Sequence, residues 1–156
     1  MASILKGQSG QPIQFETKPN VNGDDVLTRP EIVGTVSQSG GVPTGAIIQR
    51  GSNANGEFVK FADGALFCRV SLYDLGPISN SNGNLFMSDP YTWTLPTATI
   101  NDEYVMTGRP GSASTLAWVV QGGAQNSTST SFRLVRAASD SRTDRDVHLF
   151  MMGRWF

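Results

Sequence analysis

The spacing of apolar residues changes near residue 45. From Met1 to Thr44 they are sparse, with Ile4-Leu5, Ile13, Phe15, Val21, Val26-Leu27 and Ile32-Val33 standing apart among Gly, Pro, Asn and Gln. A stretch this poor in apolar surface cannot offset its own chain entropy, so residues 1–44 are expected to run as an extended anchor or shoulder laid on something else, with 36–41 a flexible loop. Residues 45–156 read as the folded domain. There, short apolar runs recur between polar loops, and 45–50, 91–95, 103–107, 115–121, 130–137 and 146–156 are strand candidates. The stretches 51–56, 76–90 and 122–129 read as loops, apart from a plug at Leu85-Phe86-Met87. No window sustains i, i+3, i+4, i+7 spacing behind a capping residue, so no helix is expected. Regularly spaced short strands predict an all-β fold, an antiparallel β-sandwich.

Two segments carry more detail. In EFVKFA-DG-ALFCRV, Asp63-Gly64 suits the two positive-φ positions of a type I′ turn. Counting outward pairs Phe61 with Leu66 and Val59 with Cys68 on one face, and Lys60 with Phe67 and Phe58 with Arg69 on the other. The run 146–156 is apolar on both faces: Val147, Leu149, Met151 and Trp155 point one way, and Phe150, Met152 and Phe156 the other. A strand wetted on one face alternates, so this one either lies between two layers or turns one face to other subunits. Its apolar end at Trp155-Phe156 would fray in a monomer and favours the second reading. His148, Phe150, Met152 and Phe156 are accordingly assigned to an interface between copies.

Composition narrows the chemistry. Twelve Lys+Arg against 13 Asp+Glu leave a net charge of −1, which gives no global field to attract nucleic acid. No window approaches the ~20 apolar residues of a membrane span, and the first residues lack the apolar core of a signal peptide, so membrane insertion is not expected. Gly is plentiful at 17 residues and charged residues make up only 16%, a turn-rich balance suited to short strands. Cys68 stands alone without a CxxC or Cys/His cluster, so neither a disulfide nor a metal or other cofactor is expected.

Catalysis is not expected either. The one histidine, His148, falls in the apolar last strand and reads as a packed or interface residue, and Cys68 as a buried, inert thiol. Asp140, Asp144 and Asp146 interleave with Arg136, Arg142 and Arg145, which reads as an ion-paired, solvated loop rather than a glycosidase pair. What remains is surface recognition, in which aromatic faces stack on sugar rings beside short polar groups. Trp93 and Trp118 are expected in the core; Tyr73 and Tyr91 flank a long polar loop and could form a platform.

Several phrases carry a family resemblance. Residues 34–70 (GTVSQSGGVPTGAIIQRGSNANGEFVKFADGALFCRV) resemble the opening stretch of the distal domain of tail-fibre proteins from phages and prophages of marine alphaproteobacteria. HLFMMGRWF (148–156) is similar to the terminal GRW strand of that group, Tyr91-Thr92-Trp93-Thr94-Leu95-Pro96 to its W-x-F-P segment, and Ser129-Thr130-Ser131-Phe132 to its T-S-F strand. Upstream, PNVNGDDVLTR (19–29) resembles a phrase that precedes such tips. The resemblance implies a homotrimeric sandwich related in architecture to H-type lectins, at the end of a virion fibre. It would be joined to other virion proteins through the N-terminal segment and would touch a host surface polysaccharide. The long repetitive shaft of such fibres is missing from this chain, which leaves a capsid decoration protein or head spike as the alternative. For a glycan-binding tip the expected contacts lie in distal loops: Tyr73, Asp74, Asn80, Asn82, Tyr91 and Arg109.

Overall fold

The computed structural model describes residues 29–111 and 116–156, together with Leu27 and the backbone of 20–21 and 24–25. Of the anchor expected in residues 1–44, the first 28 residues otherwise lie outside the described residues. Two short pairs, β1 (Asn20–Val21) with β2 (Asp24–Asp25) and β3 (Gln38–Ser39) with β4 (Val42–Pro43), precede the body. The second of these replaces the flexible loop expected at 36–41, with Gly40 and Gly41 both at positive φ in its turn. Between the pairs lies α1 (Arg29–Ile32), one turn of helix that apolar spacing could not announce. Pro30 suits it, because a proline in the first turn gives up an N–H that would have no partner there anyway.

The body is a sandwich of two antiparallel five-stranded sheets. The first contains β5 (Ile48–Asn53), β6 (Gly56–Phe61), β7 (Ala65–Leu75), β11 (Val105–Pro110) and β14 (Arg145–Arg154), in the order β11-β14-β7-β6-β5. The second contains β8 (Asn80–Asn82), β9 (Leu85–Met87), β10 (Tyr91–Thr94), β12 (Trp118–Asn126) and β13 (Ser129–Arg136). In it β13 pairs with β12 on one side and with β10 and β9 on the other, and β8 lies beyond β9. The all-β expectation is met. The core forms where the inward residues of both sheets meet: Leu66, Cys68, Val147, Leu149 and Met151 from the first, Trp93, Phe132 and Leu134 from the second. Each large apolar side chain buried there contributes about 1.5–3 kcal/mol.

Three local expectations are corrected. The β6–β7 turn has three residues rather than two, so Val59 faces Phe67, Phe58 faces Cys68 and Lys60 faces Leu66. Asp63 does not take the positive φ that a type I′ turn demands, and only Gly64 does. Instead its carboxylate accepts the Ala65 N–H at 2.9 Å while the Gly64 N–H donates to the Phe61 carbonyl. That side-chain cap stabilises the longer turn and moves the register by one residue, which exchanges the faces on β6. Leu66 and Cys68 still face the core, but Phe61 and Val59 face outward. Second, β12 continues through Gly122 and Gly123 with a register shift between Gln121 and Gln125, where a polar loop was expected. Third, the 76–90 loop contains a hairpin of β8 and β9.

The acidic–basic cluster near β14 is also more buried than a solvated loop. Asp140 pairs with Arg136, Arg142 and Arg145, and Arg145 is only 2% exposed. Arg145 further donates to the Arg142 carbonyl at 2.9 Å, while Asp140 and Ile78 exchange two backbone hydrogen bonds. The Asp140 backbone thus ties the segment before β14 to the segment after β7, while its carboxylate holds the end of β13 to the start of β14. Hydrogen bonds from Arg142 and Arg145 hold its carboxyl well below the usual carboxylate range. A group whose pKa is lower folded than unfolded stabilises fully above the unfolded value, about 4, and loses that contribution as pH falls further. Asp140→Asn should therefore lower the urea midpoint at pH 7. Its stability should also fall less steeply than that of the unsubstituted protein between pH 4 and pH 2, as denaturation series at stepped pH can check.

Candidate functional site

The outward face of the first sheet follows from strand alternation. One row across it reads Arg50, Val59, Phe67, Met152, Val105; the next reads Ser52, Glu57, Arg69, Phe150, Thr107; a third reads Ser71, His148, Arg109. The face has an apolar end and a polar end. At the apolar end Phe61, Phe67 and Phe150 form a ladder, with Phe61 edge-on to Phe67 at 5.7 Å and Phe67 stacked on Phe150 at 5.7 Å. Val105, Met152 and Phe150 are 65%, 51% and 42% exposed.

At the polar end the tip of the β5–β6 hairpin overhangs β7, β14 and β11 and encloses an open groove of about 890 Å³. The tip is held from behind, where the Asn53 amide donates to the Pro96 carbonyl and the Trp93 indole donates to the Asn55 carbonyl. Gly56 permits the close approach, since its φ is +125° and a Cβ there would stand 2.2 Å from the Arg69 carbonyl oxygen. Inside, Arg69 pairs with Glu57 at 2.8 Å, and Ser71 Oγ lies 2.8 Å from His148 Nδ1. Arg109 and Thr107 form the β11 wall.

The expected glycan contacts fall into separate places. Tyr73 and Arg109 share the outward face with the groove; Arg109 lines it, and Tyr73 stands two residues along β7 from Ser71 and is exposed. Asp74 follows with a left-handed φ of 57°. Asn80 and Asn82 lie on β8 in the other sheet, where their amides donate to Asp89 and to the Met87 sulfur. Tyr91 is turned inward: its ring packs 5.5 Å from Phe132, and its hydroxyl bonds both the N–H and the carbonyl of Gly76.

The four residues assigned to an interface divide as well. Phe150 and Met152 lie on the apolar end, His148 lines the groove, and Phe156 packs edge-on against Trp155. The end that was expected to fray is tied down within the chain, because the Trp155 N–H donates to the Gly64 carbonyl and its indole donates to the Phe61 carbonyl. Trp93 is buried as expected, whereas Trp118 is 46% exposed on β12, opposite to the expected core position. Its strand is an edge of the second sheet, and alternation there points Val119 inward and Trp118 out.

No family model matches the sequence, and no curated protein matches it. Among solved structures, the C-terminal fragment 323–701 of the P. aeruginosa R1 pyocin fibre is similar at 15% identity with a TM-score of 0.41. The alignment covers 94% of this chain, which spans 42% of that fragment. A likeness of this depth assigns neither fold nor function.

The Ser71–His148 contact, 77 positions apart in sequence, is a nucleophile–base pair among the described residues that no local motif announces. No hydrogen bond from His148 Nε2 is found among the described residues, and Nε2 lies beside Gly111 rather than a carboxylate that would orient it. Cys68 is a poor nucleophile: burial pushes its thiol up to about 12, against the opposing pull of the Lys60 charge. The native protein should accordingly resist iodoacetamide at pH 8 and be alkylated stoichiometrically once unfolded in urea, as mass spectrometry of the intact chain can follow.

Proposed function

We propose that this chain is a homotrimeric virion module, the distal tip of a bacteriophage-type fibre that rests on a host surface polysaccharide. The observation that carries the reading is the uncovered aromatic face of the first sheet. A phenylalanine ladder flanked by exposed Met152 and Val105 is a contiguous apolar patch, and such patches mark contact sites. Closure around a three-fold axis would bury the same patch on every copy. The sequence phrases at 34–70 and 148–156 support the fibre-tip assignment, since they build β5, β6, β7 and β14, the strands that carry this face. Residues 1–44 would join the module to other virion proteins.

In this arrangement the groove opens at the rim of the contact, with Tyr73, Asp74 and Arg109 near it, and three symmetry-related grooves gain avidity from one assembly. Light scattering on the purified protein should report three chains. Phe150→Asp with Met152→Asp should give a monomer that keeps its circular dichroism, because both side chains point away from the core and only the contact would bury an unpaired charge. A monodisperse monomer or dimer of the unsubstituted chain at micromolar concentration would contradict the reading.

A further inference from the structure

We infer that the groove between the β5–β6 hairpin and the strands β7, β14 and β11 binds the carboxylate of an acidic sugar, with Arg109 as its anchoring cation. The inference rests on the surface-polysaccharide reading above and specifies its ligand. Charge on this face is uneven: Arg50, Arg69, Arg109 and Arg154 lie outward, against Glu57 and Asp146. The arginines are not equivalent. Arg154 spends its donors on the carbonyls of Phe156 and Asp63, Arg69 is paired to Glu57, and Arg50 lies outside the groove. Arg109 has no carboxylate partner among the described residues, and its guanidinium reaches only the Pro110 carbonyl at 3.4 Å. A guanidinium without a partner in a recess matches a carboxylate through two parallel hydrogen bonds.

The rest of the groove suits a sugar. Ser52, Ser71 and Thr107 offer hydroxyls that can bond those of a sugar. In one tautomer His148 Nδ1–H donates to Ser71 and leaves the serine hydroxyl proton free for a ligand. At about 890 Å³ and open to solvent, the recess accepts a length of chain rather than one enclosed sugar. Glu57 within it and Asp146 beyond His148 oppose a polymer with a charge on every phosphate, whereas separated carboxylates can be placed between them.

His148 is the sole histidine, so its imidazole carbon-bound protons report on the groove without overlap. The probes are trigalacturonate and a hyaluronate tetrasaccharide, which carry carboxylates on different sugars, with fully methyl-esterified trigalacturonate as the neutral control. At least one acidic probe should shift the His148 signals saturably. Neutral control and Arg109→Gln protein should each bind at least about tenfold more weakly, with the light-scattering mass of the Gln variant unchanged. Equal binding of the esterified control, unchanged affinity in Arg109→Gln, or no binding of either acidic probe at millimolar concentration would overturn the inference. Cosedimentation with bacterial surface polysaccharide separates the two readings. Sedimentation with a neutral polysaccharide, while both acidic probes fail, would remove the acidic ligand and leave the fibre tip standing; failure on every polysaccharide would remove both.

Discussion

The pairing of β7 with β14 organises the molecule. It runs from Ala65 opposite Arg154 to Leu75 opposite Arg145, through the middle of the first sheet. Its register decides what each face presents. Leu66, Cys68, Leu149 and Met151 are set inward against Trp93, Phe132 and Leu134, while Phe67 is set beside Phe150 and Ser71 beside His148 on the outside. A slip by one residue would carry the aromatic ladder into the core and the core leucines into water. The ends of the pair are pinned independently, by the Asp140–arginine cluster at one and by the Trp155 hydrogen bonds at the other.

Much of this was legible in the sequence, and what escaped it has specific causes. The apolar run 146–156 announced a strand, and Asp63-Gly64 announced the β6–β7 hairpin. The turn was one residue longer than expected because a side-chain oxygen, not a second positive φ, completes it. Gly122-Gly123 reads as loop by composition, yet β12 passes through it as an irregularity, its ladder with β13 breaking after Gln121 and resuming at Gln125. Trp118 reads as core by residue type, but its neighbours Ala117 and Val119 pack on the core and alternation turns Trp118 outward. The candidate site was legible only in fragments. Arg109, Ser71 and His148 come together through two long-range registers that no local turn specifies.

The outward face joins two kinds of surface on one rigid support. Its apolar end gains by leaving water, and its polar end keeps a groove wetted and furnished with hydroxyls and a guanidinium. Phe150 sits where the two meet, between the ladder and the groove. Placing self-association beside recognition means that one strand pairing would serve both, and that the hairpin tip over Arg69 has to keep its glycine.

The central claim is that the aromatic end of this face is covered by other copies in solution. Oxidation by dilute peroxide, followed residue by residue in a mass spectrometer, tests it on the unaltered protein. Met152 is 51% exposed in the single chain and Met151 is fully buried beside it. The account predicts that both methionines oxidise slowly and at similar rates while the assembly holds; oxidation of Met152 as fast as free methionine would contradict it.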